Sequence, residues 1–260
     1  MPRLLIVGGG LFGSLAAALA RSQGIEAAVF DAGLPGAASP AAACLLKEAW
    51  AGKKHRDAYL QGLPVLDRLF GLRQVRLEDD AGKVEEFHFV PPGLMLEKEP
   101  IRERVTAIGD GWLEAGGQRH DGWVYVAAGV WCNELLPDLG VYGKAGAAFA
   151  FAGERAGRIR PLGPGKQAIA FVRDPGFTHF SDGTAERELT EQHLQASLAE
   201  AARLGLAEPV QKIIGVRPYV PGGPVFRAVG ERTWLATGGR KLGTILGAYY
   251  ASRLIPLLAP

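Results

Sequence analysis

The sequence predicts an α/β fold in which a parallel layer of strands and helices is interrupted by an antiparallel sheet. Three observations predict it. The run Leu4-Leu5-Ile6-Val7 enters Gly8-Gly9-Gly10-Leu11-Phe12-Gly13, an alanine-rich stretch follows, and Ala28-Val29-Phe30-Asp31 ends a second apolar run in a carboxylate. The middle of the chain is a series of short aromatic and β-branched runs separated by glycine turns. A last glycine turn at Gly238-Gly239 leads into the apolar helical segment that closes the chain.

In the opening unit, Gly8 permits the tight turn, Gly10 lets the backbone approach a pyrophosphate, and Gly13 lets helix and strand pack closely. Asp31 falls where an acid accepts ribose hydroxyls. The helix amino terminus offers N–H groups and a positive dipole to phosphates. Glycine makes up 36 of 260 residues, so the spacing alone says little. The preceding strand, the following helix and the acid at the right distance give it weight. A rival reading is a secretory leader: Arg3, an apolar stretch, then Ala18-Leu19-Ala20. A leader needs neither the glycine register nor a second strand ending in Asp31, whereas a nucleotide fold needs both. The stretch is also short for a bilayer span. A cytoplasmic protein with no membrane partner is expected.

Lys and Arg outnumber Asp and Glu by 29 to 27, and a net charge of +2 creates no global field that argues for nucleic acid. Cys44 and Cys132 are the only cysteines and lack any Cys-x-x-Cys spacing, so neither a zinc knuckle nor a disulfide framework is indicated. The five histidines are scattered without metal-binding spacing, and no metal is expected.

Leu11 to Gln23 reads as a helix with Gly24 as its cap. The uncharged segment from Gly33 to Cys44 either lies flat against a large ligand or forms a flexible loop. Arg56 to Phe70 reads as an amphipathic helix that Pro64 should kink or divide into two. Val84 to Val90, Val105 to Ile108, Gly111 to Glu114 and Gly122 to Val126 read as strands. Ala147 to Phe151, Ala168 to Val172 and Phe177 to Ser181 extend the series. Glu186 to Leu204 reads as a helix with acids early and Arg203 late. Ile213 to Val216 and Thr233 to Thr237 are strand-like, and a helix runs from about Leu242 to Leu254.

Taken in order, five of these segments resemble the D-amino-acid oxidase and glycine oxidase family of flavoenzymes. They are the Gly8, Gly10, Gly13 and Asp31 unit; Ala37-Ala38-Ser39 through Leu45; Val124 to Trp131; Gly215-Val216-Arg217-Pro218; and Ala236 to Gly243. The resemblance implies a Rossmann-like FAD-binding domain of the GR2 type, with an inserted, reduced antiparallel-sheet substrate domain. The FAD domain would be discontinuous, from 1–75, 98–140 and 208–260, and the substrate domain would comprise 76–97 and 141–207. It further implies non-covalent FAD in contact with Gly8, Gly10, Leu11, Phe12, Gly13, Asp31, Ala38, Ser39, Ala43, Cys44, Ala127, Ala128, Gly129, Trp131, Gly215, Gly239, Arg240, Lys241, Leu242 and Gly243. The activity implied is oxidation of a primary or secondary amine bearing a carboxylate, glycine-like or N-substituted. Hydride passes to flavin N5, the imine hydrolyses, and dioxygen or another acceptor takes the electrons.

Departures from the family pattern qualify this. The chain is shorter than is usual, with the deficit between Phe70 and Val105. Ala43-Cys44 stands where a glycine pair is common, and no cysteine lies in the last third to form a thioether.

A flavin takes hydride from the carbon next to nitrogen, so the protein's task is to hold the substrate, exclude water and stabilise the reduced ring. Arg217 is the first choice for gripping a carboxylate, because a guanidinium fork binds it bidentately. Tyr219 can add a hydroxyl or simply pack. Arg240 or Lys241, with the amino terminus of the last helix, suits the charge of a reduced ring or else lies in a solvated turn. Cys44 is either a partner of the flavin or a packing residue.

The run Lys53-Lys54-His55-Arg56 admits a variant in which the amine is carried by nucleic acid, as a tRNA or phage DNA base modification, with glyoxylate released. Two further alternatives are an NAD-dependent dehydrogenase, which Asp31 also suits, and a non-enzymatic flavin-binding subunit.

Overall fold

Leu4, Leu5 and Ile6 are fully buried and Val7 nearly so, as a parallel strand covered on both faces requires. In the computed structural model, which describes residues 2–164 and 166–258, this strand is the second from the edge of a five-stranded sheet. The chain opens with β1 (Arg3–Val7), α1 (Leu11–Ser22) and β2 (Glu26–Phe30). There follow β3 (Leu45–Leu46), α2 (Glu48–Phe70), β4 (Arg73–Glu78), β5 (Val84–Phe89) and the single turn α3 (Pro92–Met95). A meander of β6 (Val105–Gly109), β7 (Trp112–Ala115) and β8 (Gln118–Asp121) leads to β9 (Trp123–Val126) and α4 (Cys132–Leu135). Next come β10 (Tyr142–Ala152), β11 (Arg158–Gly163), β12 (Lys166–Asp174), β13 (Phe177–Ser181) and α5 (Glu191–Arg203). The chain closes through β14 (Pro209–Tyr219), β15 (Val225–Ala228), β16 (Thr233–Thr237) and α6 (Gly243–Leu254).

The first sheet has the order β15-β16-β9-β1-β2 and is parallel except for the edge strand β15. Alternation along β1 divides its neighbours. Leu4 and Ile6 pack with Leu15 and Leu246 on the helical side, and Leu5 and Val7 pack with Leu113 and Val124 on the side of the meander. On the helical side α6 lies between α1 and α2. These helices approach closely because their contact points lack side chains. A Cβ on Gly62 would stand 2.7 Å from the Ile245 carbonyl oxygen, and one on Gly247 would stand 2.8 Å from Leu15 Cδ1.

The second sheet has eight strands in the order β14-β10-β13-β12-β11-β4-β5-β3. Its pairs are antiparallel apart from β11 and β4, which meet in parallel at Arg158 and Glu78. Phe149, Phe151 and Phe180 form a core with Leu194 and Ala201 of α5. Leu77, Phe87, Phe89, Ile169 and Phe171 of the same sheet join the core of the helical layer, so the two sheets share apolar packing. Among the described residues no helix is long and apolar enough to cross a membrane.

Two elements depart from the sequence reading. The non-helical backbone in α2 falls at Gly52 (φ 60°) and His55 rather than at Pro64, which sits inside the helix. Glycine adopts that positive φ without steric cost, so the break falls there. The helix expected from Glu186 begins at Glu191. Glu186 is drawn into strand-like exchange with Ala145, and Thr190 and His193 form a capping box that fixes the start.

Candidate active site

The strands of the first sheet end at a cavity of about 590 Å³, at their carboxyl ends where open α/β sheets bind ligands. Gly8, at φ 101°, makes the turn out of β1; a Cβ there would stand 2.6 Å from the Ala127 carbonyl oxygen. A Cβ on Gly13 would collide with the Gly8 carbonyl, so Gly13 lies beneath the cavity as the contact between helix and turn. Asp31 lines the cavity, with Oδ2 accepting from the Gly9 N–H at 2.6 Å and Oδ1 from the Gly33 N–H at 2.7 Å. These bonds fix the carboxylate at the end of β2. At the start of α1 the Leu11 N–H donates to the Ser39 hydroxyl at 2.9 Å, a cap supplied by a distant segment.

That segment runs along the cavity wall: Ala37, Ala38, Ser39, Ala41, Ala42, Ala43 and Cys44 all line it. It is tied to β14, where the Val216 N–H donates to the Gly36 carbonyl at 2.8 Å. The approach is close because Gly215 has no side chain; a Cβ there would stand 2.9 Å from Ala38 Cα. Cys44 is buried with φ 56°, a conformation that favours glycine. Burial pushes its thiol up to about 11, against the lowering effect of a hydrogen bond with Thr244 and of Arg173.

The turn after β9 contributes Ala127, Ala128, Gly129 and Trp131, with the Thr237 hydroxyl donating to the Gly129 carbonyl at 3.0 Å. The turn before α6 contributes Gly239, Arg240, Lys241 and Gly243. Arg240 also holds a positive φ of 50°, and its guanidinium lies 4.9 Å from the centre of the Tyr219 ring. Gly10, Leu11, Phe12 and Gly215 complete the predicted residues on the cavity wall.

Arg217 of β14 lines the cavity together with Gly146, Gln167, Ser181 and Gly183 of the second sheet and its loops. Its guanidinium donates to the Thr184 carbonyl at 3.0 Å and the Gly183 carbonyl at 3.4 Å. The 182–184 loop is fixed in turn by buried Asp182, which accepts from the Thr184 N–H at 2.8 Å and from the Ser197 hydroxyl at 2.6 Å. Burial lowers the Arg217 pKa, against the opposing effects of Tyr219 and Asp182, yet a guanidinium stays charged. Lys241 is lowered by burial and then by the charges of Arg217 and Lys166.

Tyr219 and Leu242 do not line the cavity. Tyr219 stacks on Tyr142 at 5.6 Å and carries Arg240 and Lys144 on its ring, and Leu242 packs on the core of the helical layer. The basic run falls at the break in α2: Arg56 pairs with Glu48 at 2.7 Å, Lys54 donates to the Gly222 carbonyl at 3.4 Å, and none of the four lines the cavity. Trp50, Glu103, Glu134, Gln167, Ser181 and Thr244 line it without having been foreseen. They sit outside any glycine or arginine motif: Gln167 and Ser181 reach the wall through strand pairing, and Trp50, Glu103, Glu134 and Thr244 through the packing of helices and a loop.

The residues present fit an extended dinucleotide. The cavity lies within the ~300–1,000 Å³ range of cofactor pockets, and its wall carries a fixed acid, a helix amino terminus beside that acid and a guanidinium from the second sheet.

No family model matches the chain, and no curated protein matches it by sequence. Solved structures do match over nearly its whole length. Iminodiacetate oxidase from Chelativorans sp. BNC1 aligns with a TM-score of 0.72 at 17% identity, covering 98% of this chain and 95% of that one. Glycine oxidase from Geobacillus kaustophilus aligns with a TM-score of 0.72 at 16% identity, covering 99% and 95%. An FAD-dependent oxidoreductase from Pseudomonas aeruginosa aligns with a TM-score of 0.67 at 15% identity, covering 97% and 89%. The glycine turn, the cavity at the strand ends and the paired sheets therefore place the chain in the fold shared by FAD-dependent oxidases of the D-amino-acid oxidase kind.

Proposed function

We propose that the protein is an enzyme that holds FAD non-covalently along this cavity and oxidises an amine bearing a carboxylate. The single observation that carries the reading is the placement of Arg217, a cavity-lining guanidinium of the second sheet held by two carbonyl oxygens. Two proteins that share the fold are oxidases of glycine and iminodiacetate, both of which are amines bearing carboxylates. In this reading Asp31 takes the ribose hydroxyls, the Gly8 to Leu11 turn faces the pyrophosphate, and the 37–44 segment runs beside the ring system. Bound FAD supplies a two-electron acceptor for the carbon–nitrogen bond of the substrate.

The chain's own residues do the rest. The Arg217 fork engages the substrate carboxylate and fixes the amine end relative to the cavity, so that orientation is set before the chemical step. Lys241 and the amino terminus of α6 place positive charge where negative charge develops. The second sheet, through β10, β12, β13 and β14, would form the substrate-binding layer. Cys44 offers no covalent attachment, because its thiol is buried, bonded to Thr244 and held protonated.

The test is turnover of glycine and sarcosine by FAD-loaded protein, with glyoxylate assayed as product. Arg217→Met should lower kcat/KM by ~10²–10³, the loss expected when one partner of a buried charged pair is removed. FAD-loaded protein inert toward every carboxylate-bearing amine would overturn the reading.

A further inference from the structure

The segment along the cavity wall has little of its own to hold it in place. From Gly33 to Cys44 it carries no charged residue, and its one hydroxyl, on Ser39, is engaged with the Leu11 N–H. Its internal bonds close a single short turn, from the Ala41 N–H to the Ala38 carbonyl and from the Ala42 N–H to the Ser39 carbonyl. The second sheet secures its backbone from outside. The Val216 N–H of β14 holds the Gly36 carbonyl at 2.8 Å. Farther along, Arg173 of β12 donates from one guanidinium nitrogen, Nη1, to the Pro40 carbonyl at 2.8 Å and to the Ala42 carbonyl at 3.1 Å.

Arg173 is aimed at this contact by its own strand. β12 and β13 pair Val172 with Thr178 and Asp174 with Phe177, so Arg173 is the extra residue of a β-bulge, an irregularity that redirects a side chain. The Asp174 carboxylate accepts from Arg173 Nε at 2.7 Å and steadies the guanidinium. The Arg173 side chain is only 11% exposed, and burying a guanidinium is unfavourable unless its N–H groups are bonded. Arg173 does not itself line the cavity, whereas Ser39, Ala41, Ala42 and Ala43, around the carbonyls it holds, all do. β12 is joined through β13 and β10 to β14, which carries Arg217. One sheet therefore fixes both this wall and the guanidinium of the proposed carboxylate grip.

Resting on the flavin amine-oxidase reading above, we infer that Arg173 is a positioning residue for the reaction. By tying Pro40 and Ala42 to β12 it sets the distance between the cofactor's ring system and the Arg217 fork. A misplacement of about 1 Å between reacting groups costs as much as 10²-fold in rate. Without Arg173 the wall slackens and the ring drifts from the substrate, while Arg217, held by the Gly183 and Thr184 carbonyls, keeps its own grip.

The experiment compares full-length wild type, Arg173→Met and Arg173→Lys by FAD titration, and then by kcat and KM at saturating FAD with the amine that reduces the wild-type flavin. Arg173→Met should raise the Kd for FAD about tenfold, the worth of one hydrogen bond to a charged group. It should lower kcat about tenfold or more and leave KM for the amine little changed. Arg173→Lys keeps the charge but loses the nitrogen that Asp174 steadies, and should fall between the two. A merely structural role predicts a lower urea midpoint for the FAD-free protein, with wild-type FAD affinity and kcat in the folded fraction. That result overturns the inference, as does a loss confined to KM. Should Arg173→Met not fold, Arg173→Lys decides alone, and wild-type values there overturn the inference. Wild-type protein that takes up no FAD, or that oxidises no carboxylate-bearing amine, overturns the amine-oxidase reading and the inference with it.

Discussion

Cys44 holds a left-handed backbone that costs a non-glycine residue roughly 1–2 kcal/mol. It does so where the resemblance to the oxidase family leads one to expect glycine. Cys44→Gly should be close to neutral in urea unfolding, because relief of φ offsets the lost packing and the ~0.5–1 kcal/mol entropic cost of glycine. Cys44→Val should lose ~2 kcal/mol or more, since a branched side chain tolerates that φ poorly; equal stability of the two variants would show that the backbone there is relaxed. Both thiols are raised to about 11 by burial. At pH 8 only ~10⁻³ of either is thiolate, so native protein should resist iodoacetamide and unfolded protein should not. Rapid alkylation of the native state would contradict this. At this scale the sequence was legible wherever chemistry needs a particular backbone: Gly8, Gly10 and Asp31 stand where their spacing put them. The Ser39 hydroxyl on the Leu11 N–H was not legible, because the two lie 28 residues apart and only the folded 37–44 segment joins them.

Among the elements, the α1, α6 and α2 layer depends on close approach. Alanine is the better helix former by ~1 kcal/mol, yet a Cβ at Gly62 would press on the Ile245 carbonyl. Gly62→Ala should therefore lose a net ~1–2 kcal/mol by calorimetric unfolding, overpacking outweighing propensity. A stabilised variant would mean that the helices separate at little cost. Strands β13 and β16 and helix α1 were legible because apolar periodicity bounded them. Strands β4 and β8 were not: Arg73 to Glu78 buries one residue in six and Gln118 to Asp121 buries none, so neither shows the alternation that marks a strand. Pro64 misled for a related reason. Proline predicts a break wherever it falls, but the chain had a cheaper place to bend at Gly52.

For the whole molecule, stability and function separate cleanly. His179 is fully buried in β13 without a partner for Nε2, and burial, with the charge of Arg173, pulls its pKa from 6.5 down to about 3. The unfolded chain thus binds a proton that the native state refuses. Its contribution to stability is complete above pH 6.5 and falls as the pH drops toward 3, with a slope approaching ~1.4 kcal/mol per unit. His179→Phe should flatten that slope in urea titrations between pH 6.5 and 4; an unchanged slope would show that His179 takes up its proton in the folded state. The nucleotide layer was legible from its first 31 residues. An antiparallel sheet was legible in its central strands, but its full extent was not, because its order runs from β14 at one edge to β3 at the other, strands far apart in the chain, through pairings that no local pattern announces. The central claim is a flavin held beside a carboxylate-binding arginine. Its most direct test is the absorbance spectrum of purified or FAD-loaded protein, before and after anaerobic addition of glycine, sarcosine or iminodiacetate. The account predicts bands near ~370 and ~450 nm, expected of oxidised flavin, with the longer band bleached by one of these amines in the native protein and not in Arg217→Met. A protein that binds no FAD, or whose bound FAD is bleached equally well in Arg217→Met, would contradict it.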